Sequence, residues 1–155
     1  MILFFNMSAP LTLRYSAYIQ NHSWCTPIAS TDPNYENKYA GMIGDNLKLN
    51  AIRVEILDQN GQNQPDLIEY QAHVQNIGWM NKVKGGEISG TVGKNLRAEA
   101  FKINLTGAAA LSYNIQYRVN IEKKGWGPWA QNGEMAGTEG KAKRTEAIQI
   151  KLIPK

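Results

Sequence analysis

Three kinds of side chain in this sequence stand where they could recognise a ligand. Trp79 and Trp126 each follow a glycine, in Gly78-Trp79 and Gly125-Trp126, 47 residues apart. A tryptophan face can stack on the apolar side of a sugar ring while its indole N–H donates to a hydroxyl. Equally, tryptophans repeated in this way can pack about a common axis. Trp129 follows Pro128, has Lys82 as its counterpart one repeat earlier, and reads as an exposed aromatic platform. The second kind is a charge pair, Arg97 with Glu99 and again Arg144 with Glu146. A carboxylate accepts from two neighbouring hydroxyls with a guanidinium donating beside it, or the pair is a structural ion pair that orients a turn. The third is a polar row, Gln71, His73 and Gln75, matched by Gln116, Arg118 and Asn120 downstream and by Ser16, Tyr18 and Gln20 upstream. Such a row of donors and acceptors suits a polyhydroxyl ligand, or is simply a solvated strand face. The candidate ligand-binding set is therefore His73, Gln75, Trp79, Arg97, Glu99, Arg118, Trp126, Trp129, Arg144 and Glu146.

The same inventory argues against catalysis. There is no Ser/His/Asp set, no glycine-rich phosphate loop, no HExxH and no paired-cysteine motif. His22 and His73 are the only histidines and Cys25 the only cysteine, a poor supply for a metal site. No metal or cofactor is expected. Paired carboxylates for glycoside hydrolysis would have to come from Glu87, Glu99, Glu134 or Glu146. Their repetition suits several weak sites acting together better than one asymmetric catalytic centre. Cys25 excludes an intramolecular disulfide and reads as a small apolar side chain beside Trp24. The net charge of +4 is carried by the last third, where residues 107–155 hold eight Lys and Arg against four Glu. This excess is too sparse for a nucleic-acid footprint, which would be denser and interleaved with aromatics. It is a solvated surface or a contact for an anionic glycan, lipid or wall polymer.

These residues are positioned by an internal repeat. At the 47-residue spacing Gly86, Glu87, Gly90, Thr91, Gly93, Lys94, Arg97, Glu99, Ala100, Ile103 and Leu105 recur as Gly133, Glu134, Gly137, Thr138, Gly140, Lys141, Arg144, Glu146, Ala147, Ile150 and Leu152. A weaker copy lies upstream, with Trp24, Gly41, Gly44 and Ala51-Ile52-x-Val54-x-Ile56. Within the 155 residues, one domain's worth of chain, the copies span 11–58, 66–106 and 111–153. Ile68, Tyr70, Ala72 and Val74 alternate with polar residues, as in a half-buried strand, and Phe101, Ile103 and Leu105 do the same. Strict alternation places Arg97 and Glu99 on the inward face with Phe101. Gly85-Gly86 and Asn132-Gly133 read as two-residue hairpin turns between short strands. Each repeat thus reads as long strand, short hairpin, long strand. The turn-rich links at Asp58–Pro65 and Thr106–Ala110 should join antiparallel neighbours. The expectation is an all-β, pseudo-threefold closed architecture of about twelve strands, a β-trefoil, with a β-prism as the alternative. The first copy carries six extra residues within Cys25–Lys38, and the third reads as having two extra, Lys123 and Lys124, before Gly125-Trp126.

Met1–Phe5 is apolar, but it has no basic start and Asn6 ends it, so it reads as a pairing strand, or as a start-site extension before Met7, rather than a signal peptide. Cytoplasmic synthesis is the default expectation, with release or non-standard export to the cell surface open. No apolar run approaches the length of a membrane span.

The pattern Tyr70-x-Ala72-His73-Val74-Gln75-Asn76-x-Gly78-Trp79, then Gly86-Glu87-x-x-Gly90-Thr91-x-Gly93 and Leu96-Arg97-x-Glu99-Ala100, resembles the clostridial hydrophobic-tryptophan (ChW) repeat. So does the third copy, through Gly125-Trp126, Asn132-Gly133-Glu134-x-Ala136-Gly137-Thr138 and Arg144-x-Glu146-Ala147-Ile148. The first copy matches loosely through Tyr15-x-Ala17-x-Ile19-Gln20-Asn21 and Trp24. The resemblance implies a repeat of extracellular bacterial proteins, often beside cell-surface modules, that serves adhesion or binding without known catalysis. The expected function is a non-catalytic, lectin-like module for a glycan or cell-surface polysaccharide, with the second and third copies as the active pair and the first degenerate. The alternative is a structural or assembly protein, a self-associating subunit or a virion or cell-surface decoration, pairing with neighbours through its N-terminal segment and the insertion around Pro33-Asn34-Tyr35.

Overall fold

In the computed structural model, residues 10–155 are described, so the expected N-terminal strand at Met1–Phe5 lies outside the described residues. The first repeat contributes β1 (Thr12–Ile19), β2 (Ser23–Trp24), β3 (Ile28–Ala29), β4 (Ala40–Gly41) and β5 (Leu49–Leu57). The second contributes β6 (Ile68–Val74), β7 (Gly78–Trp79), β8 (Val83–Lys84), β9 (Ile88–Gly90) and β10 (Ala98–Leu105). The third contributes β11 (Tyr113–Ile121), β12 (Gly125–Trp126), β13 (Ala130–Gln131), β14 (Met135–Gly137) and β15 (Thr145–Pro154). A short helix, α1 (Gly107–Ser112), joins the second repeat to the third.

Each repeat pairs its two long strands antiparallel: β1 with β5, β6 with β10, and β11 with β15. The second and third strands of each repeat then pair with the first, as β7 and β8 do with β6. The fourth strand leaves home. β9 pairs with β5 of the first repeat, β14 with β10 of the second, and β4 with β15 of the third. Three separate five-stranded sheets result, each with free ends.

This overturns the expected closed architecture, β-trefoil or β-prism, of about twelve strands. Strands of two or three residues occupy the far edge of every long pair, so no ladder runs from the long strands of one repeat to those of the next. The strand count is fifteen among the described residues, because each of Trp24, Trp79 and Trp126 lies on a further two-residue strand, β2, β7 or β12, and the two strands of each expected hairpin belong to different sheets. Gly85-Gly86 does form a tight turn, closed by the Glu87 N–H donating to the Lys84 carbonyl at 3.0 Å. The flanking strands nonetheless pair elsewhere, β8 with β6 and β9 with β5. The linkers likewise fail to join paired neighbours, since β5 does not pair with β6 nor β10 with β11.

The three sheets share one core. The inward residues of β6 and β10 are those the alternation selects: Ile68, Tyr70, Ala72 and Val74, with Phe101, Ile103 and Leu105, all at most 3% exposed. Tyr15, Tyr70 and Tyr117 occupy the same place in the three repeats and are among the largest fully buried side chains. A buried hydroxyl must find a partner. Tyr70 donates to the Glu87 carbonyl and Tyr117 to the Glu134 carbonyl, tying each glycine turn down onto its own first strand.

The six-residue insertion of the first repeat falls after β3 and holds a single 3-10 turn, Tyr35–Asn37. It closes onto the third sheet. Where the Gly86 and Gly133 N–H groups donate to the Val54 and Ile103 carbonyls, the equivalent Ile150 carbonyl receives the Tyr35 hydroxyl at 2.9 Å. The expected extra residues in the third repeat are not an insertion. Asn120 pairs with Trp126 as His73 pairs with Trp79 and Tyr18 with Trp24, so the three turns are equal in length. Lys123 there takes the left-handed conformation that Asn21 and Asn76 take in the other two. The outward triad of the third repeat is therefore Arg118, Asn120 and Glu122, two residues beyond the expected one.

Candidate functional site

The outer face of each sheet is organised by one irregularity. In all three long-strand pairs the register slips by a residue, leaving Asn50, Glu99 and Glu146 as the unpaired residue of a β-bulge. A bulge shifts every side chain beyond it to the other face. Glu99 therefore does not point inward with Phe101 as alternation predicts. Its carboxylate meets His73 on the outer face, with Nδ1 2.9 Å from Oε1, and accepts the Arg97 Nε–H at 2.8 Å on Oε2. Glu146 accepts from Arg144 Nε at 2.8 Å in the same way, and Arg144 also meets Glu122 at 3.3 Å. The Arg144 backbone N–H and the surrounding cations hold the Glu122 carboxyl below its usual range. In the first repeat Asn50 stands at the bulge and makes a different contact, donating to the Leu96 carbonyl of the second repeat at 2.7 Å.

Over each bulge passes the swapped short strand of a neighbouring repeat, and it passes as a glycine. A Cβ on Gly90 would lie 2.3 Å from the Asn50 carbonyl oxygen and 2.6 Å from Ala51 Cα, and Gly137 and Gly41 cross Glu99 and Glu146 equally closely. The bulge carbonyls accept from the next backbone N–H, those of Thr91, Thr138 and Met42. These approaches bury the bulge carboxylates, leaving Glu99 and Glu146 each 6% exposed.

The tryptophans lie outside this buried layer. Trp24, Trp79 and Trp126 are half-buried on the outer faces, apart from the common core, and each carries a cation on its ring. Arg53 sits 4.8 Å from the centroid of Trp24, Lys102 4.4 Å from that of Trp79, and Arg118 4.8 Å from that of Trp126. Arg53 and Lys102 occupy equivalent places on the last strand. In the third repeat Gln149 stands there, and Arg118 reaches across from the first strand instead. The Trp79 indole N–H is taken by Glu139 at 2.9 Å, while His73 meets the ring edge-on at 5.2 Å. Trp129 lies between two cations, 4.6 Å from Arg118 and 4.8 Å from Lys151.

Of the sequence candidates, His73, Gln75, Trp79, Arg97 and Glu99 gather on the second sheet, with Gln75 accepting the Arg97 backbone N–H at 3.2 Å. Arg118, Trp126, Trp129, Arg144 and Glu146 lie on the third. Both oxygens of Glu99 are already engaged within the chain. The sequence reading missed the cations on the tryptophans and a cleft on the first sheet. That cleft encloses about 500 Å³ among Arg14, Ser16, Trp24, Pro27, Arg53 and Glu55, with Gly86 at its end. The matching cleft of the second sheet, between Glu69, Gln71, Lys82, Lys102, Asn104 and Gly133, encloses about 240 Å³. Among the described residues no group of three or more His, Cys, Asp and Glu could hold a metal ion, and no helix is long and apolar enough to cross a membrane.

Comparison with curated proteins and with solved structures gives no match. Two stretches, residues 73–107 and 120–154, match a family described as Clostridial hydrophobic W. Each runs from the outward residue that faces the repeat's tryptophan, through the swapped strand, to the end of the bulged long strand. Over these two regions, which together make up 70 of the 155 residues, the chain is similar to the clostridial hydrophobic W family.

Proposed function

We propose that this chain is a non-catalytic recognition module for saccharides of a cell surface, and that it binds through the outer faces of its sheets. One observation carries the reading: each outer face sets a half-buried tryptophan under a cation at the same place in the repeat, among other polar and charged side chains. An aromatic body with charged donors close beside it suits a polyhydroxyl ligand. Residues 11–58 are, on this reading, a third and diverged copy of the family repeat. They keep the five-strand layout, the bulge and the tryptophan, and exchange the Arg/Glu pair for Lys48 and Asn50.

The assembly alternative rests on the N-terminal segment, which lies outside the described residues, and on the insertion around Pro33-Asn34-Tyr35, where the Tyr35 hydroxyl donates to the Ile150 carbonyl within the chain. The recognition reading is tested by binding of the purified protein to a glycan array that includes bacterial wall polysaccharides. Saturable binding to one sugar class is the expected result. Silence across the array, from protein shown to be folded, refutes it.

A further inference from the structure

We infer that the ligand site of this chain is the cleft of the first sheet, and that it takes a saccharide carrying one singly charged oxyanion. The inference rests on the saccharide reading above and adds to it the place and the charge of the ligand. The three outer faces are equivalent in backbone and unlike in what fills them. On the second sheet Gln71 reaches the Met80 carbonyl at 2.8 Å and Lys82 pairs with Glu69 at 3.2 Å, and these side chains occupy much of the cleft. On the third, Trp129 lies between Arg118 and Lys151, while Gln149 donates to the Glu36 carbonyl of the insertion at 2.9 Å. On the first sheet the residues equivalent to Gln71 and Lys82 are Ser16 and Pro27. Both are short, and Ser16 keeps only the inner half of the contact, donating to the Cys25 carbonyl at 2.6 Å. The space that is filled twice elsewhere is open here.

The open cleft has unspent hydrogen-bonding capacity of a definite sign. Arg14 places both Nε and Nη2 2.8 Å from the same oxygen, Glu55 Oε1, and leaves Oε2 without a described partner. Arg53 lies against Trp24, and its Nε is buried with no hydrogen-bond partner. A buried donor without a partner costs free energy that a ligand can recover. Two guanidinium groups against one carboxylate leave the cleft at +1. A single carboxylate or phosphodiester neutralises it, and the Arg53 fork suits either bidentately. Glu55 Oε2 is then free to accept from a sugar hydroxyl, with the ring's apolar side toward Pro27 and the edge of Trp24. The ligand is thus a sugar with one negative charge, such as a uronate or a phosphodiester-linked unit.

Calorimetry on the full chain tests this with three probes: trigalacturonate, its methyl ester and a glucosyl methyl phosphodiester. The proposal expects one of the two anionic probes to bind, and the neutral ester to bind at least about tenfold more weakly, the worth of one charge-assisted contact. Arg53→Met should lower the anion's affinity by a similar factor of about ten or more, while Lys102→Met on the second sheet leaves it within about twofold. Arg53→Lys keeps the charge without the fork and should lose affinity too, which guards against a folding defect in the Met variant. Among the indole N–H resonances, that of Trp24 should move on titration. If the anion binds equally to both Arg53 variants, or moves the Trp79 or Trp126 resonance instead, the first cleft is not the site, though saccharide binding stands. If the ester binds as well as the acid, the charge assignment fails. If neither these probes nor any array glycan binds, both readings fall together.

Discussion

Replacing Gly90 with alanine tests whether the passage of a swapped strand over the bulge holds the three sheets together. Gly90 has φ +111°, and an added Cβ would lie 2.3 Å from the Asn50 carbonyl oxygen, 2.6 Å from Ala51 Cα and 2.8 Å from Ala51 Cβ. None of these atoms is the end of a flexible side chain, so the backbone must yield. Gly78→Ala is the control, because Gly78 has φ +85° but nothing within 4 Å of its added Cβ. The control should lose only the cost of a left-handed alanine, about 1–2 kcal/mol. Gly90→Ala should add the cost of overpacking, about 1–3 kcal/mol more. The escape from the clash is for β9 to lift off β5, which forfeits its three-residue ladder and the Thr91 N–H bond to the bulge. Urea unfolding followed by tryptophan fluorescence gives both values if the m-value is unchanged. Equal losses in the two variants would sink the idea that the close approach, and not the backbone conformation alone, is what glycine supplies.

Glu99→Gln removes a carboxylate that accepts from both His73 and Arg97, yet leaves an acceptor in place; unfolding should show a loss of about 2 kcal/mol. Tyr35→Phe strips the Ile150 carbonyl of its partner and should cost about 1–2 kcal/mol in the same assay. Burial raises the folded-state pKa of Tyr35 and Tyr70 to about 12, and raises those of Tyr15 and Tyr117 as well. The unfolded chain releases these protons near pH 10, so stability is intact below about pH 10 and falls as pH rises towards 12. Tyrosinate absorbance should therefore rise together with loss of circular dichroism, and ionisation of all seven tyrosines in a still-folded chain would refute it. Trp129→Ala should open the third cleft and cost about 1–2 kcal/mol through the two cations it holds, read as a shift in the urea midpoint.

How much of this was legible depends on whether a feature is local. The inward faces of β6 and β10 follow from alternation, since a period of two is a property of neighbouring residues. The glycine turns were legible for the same reason, but turn chemistry says nothing about which strand lies alongside. The pairing of β9 with β5 rather than β8 is non-local, and with it went the closed architecture. The bulge was missed because alternation assumes an unbroken ladder. Its signal was present: Ala98-Glu99-Ala100, Thr145-Glu146-Ala147 and Leu49-Asn50-Ala51 each set a polar residue at inward parity between small or apolar ones. The error at Lys123 arose because a lysine in a left-handed turn does not look like Asn21 or Asn76. The cations on the tryptophans were within reach, as Arg53 and Lys102 stand two residues after Ala51 and Ala100.

The chain carries its own comparison in its three copies. Two framework positions hold the same residue in every repeat: the buried tyrosine is Tyr15, Tyr70 and Tyr117, and the crossing glycine is Gly41, Gly90 and Gly137. Positions that line the outer clefts differ three ways: Ser16, Gln71 and Arg118; Pro27, Lys82 and Trp129; Arg53, Lys102 and Gln149. Three identical binding sites would need the second class to be as uniform as the first. The tryptophan is uniform, so it marks where each face could bind without telling one face from another. The discriminating chemistry lies in what surrounds it, and only the first sheet combines short neighbours with an unpaired guanidinium. If the saccharide reading holds, the framework shared by the three repeats fixes where a site can form, and the differences between the repeats decide which of the three faces is one.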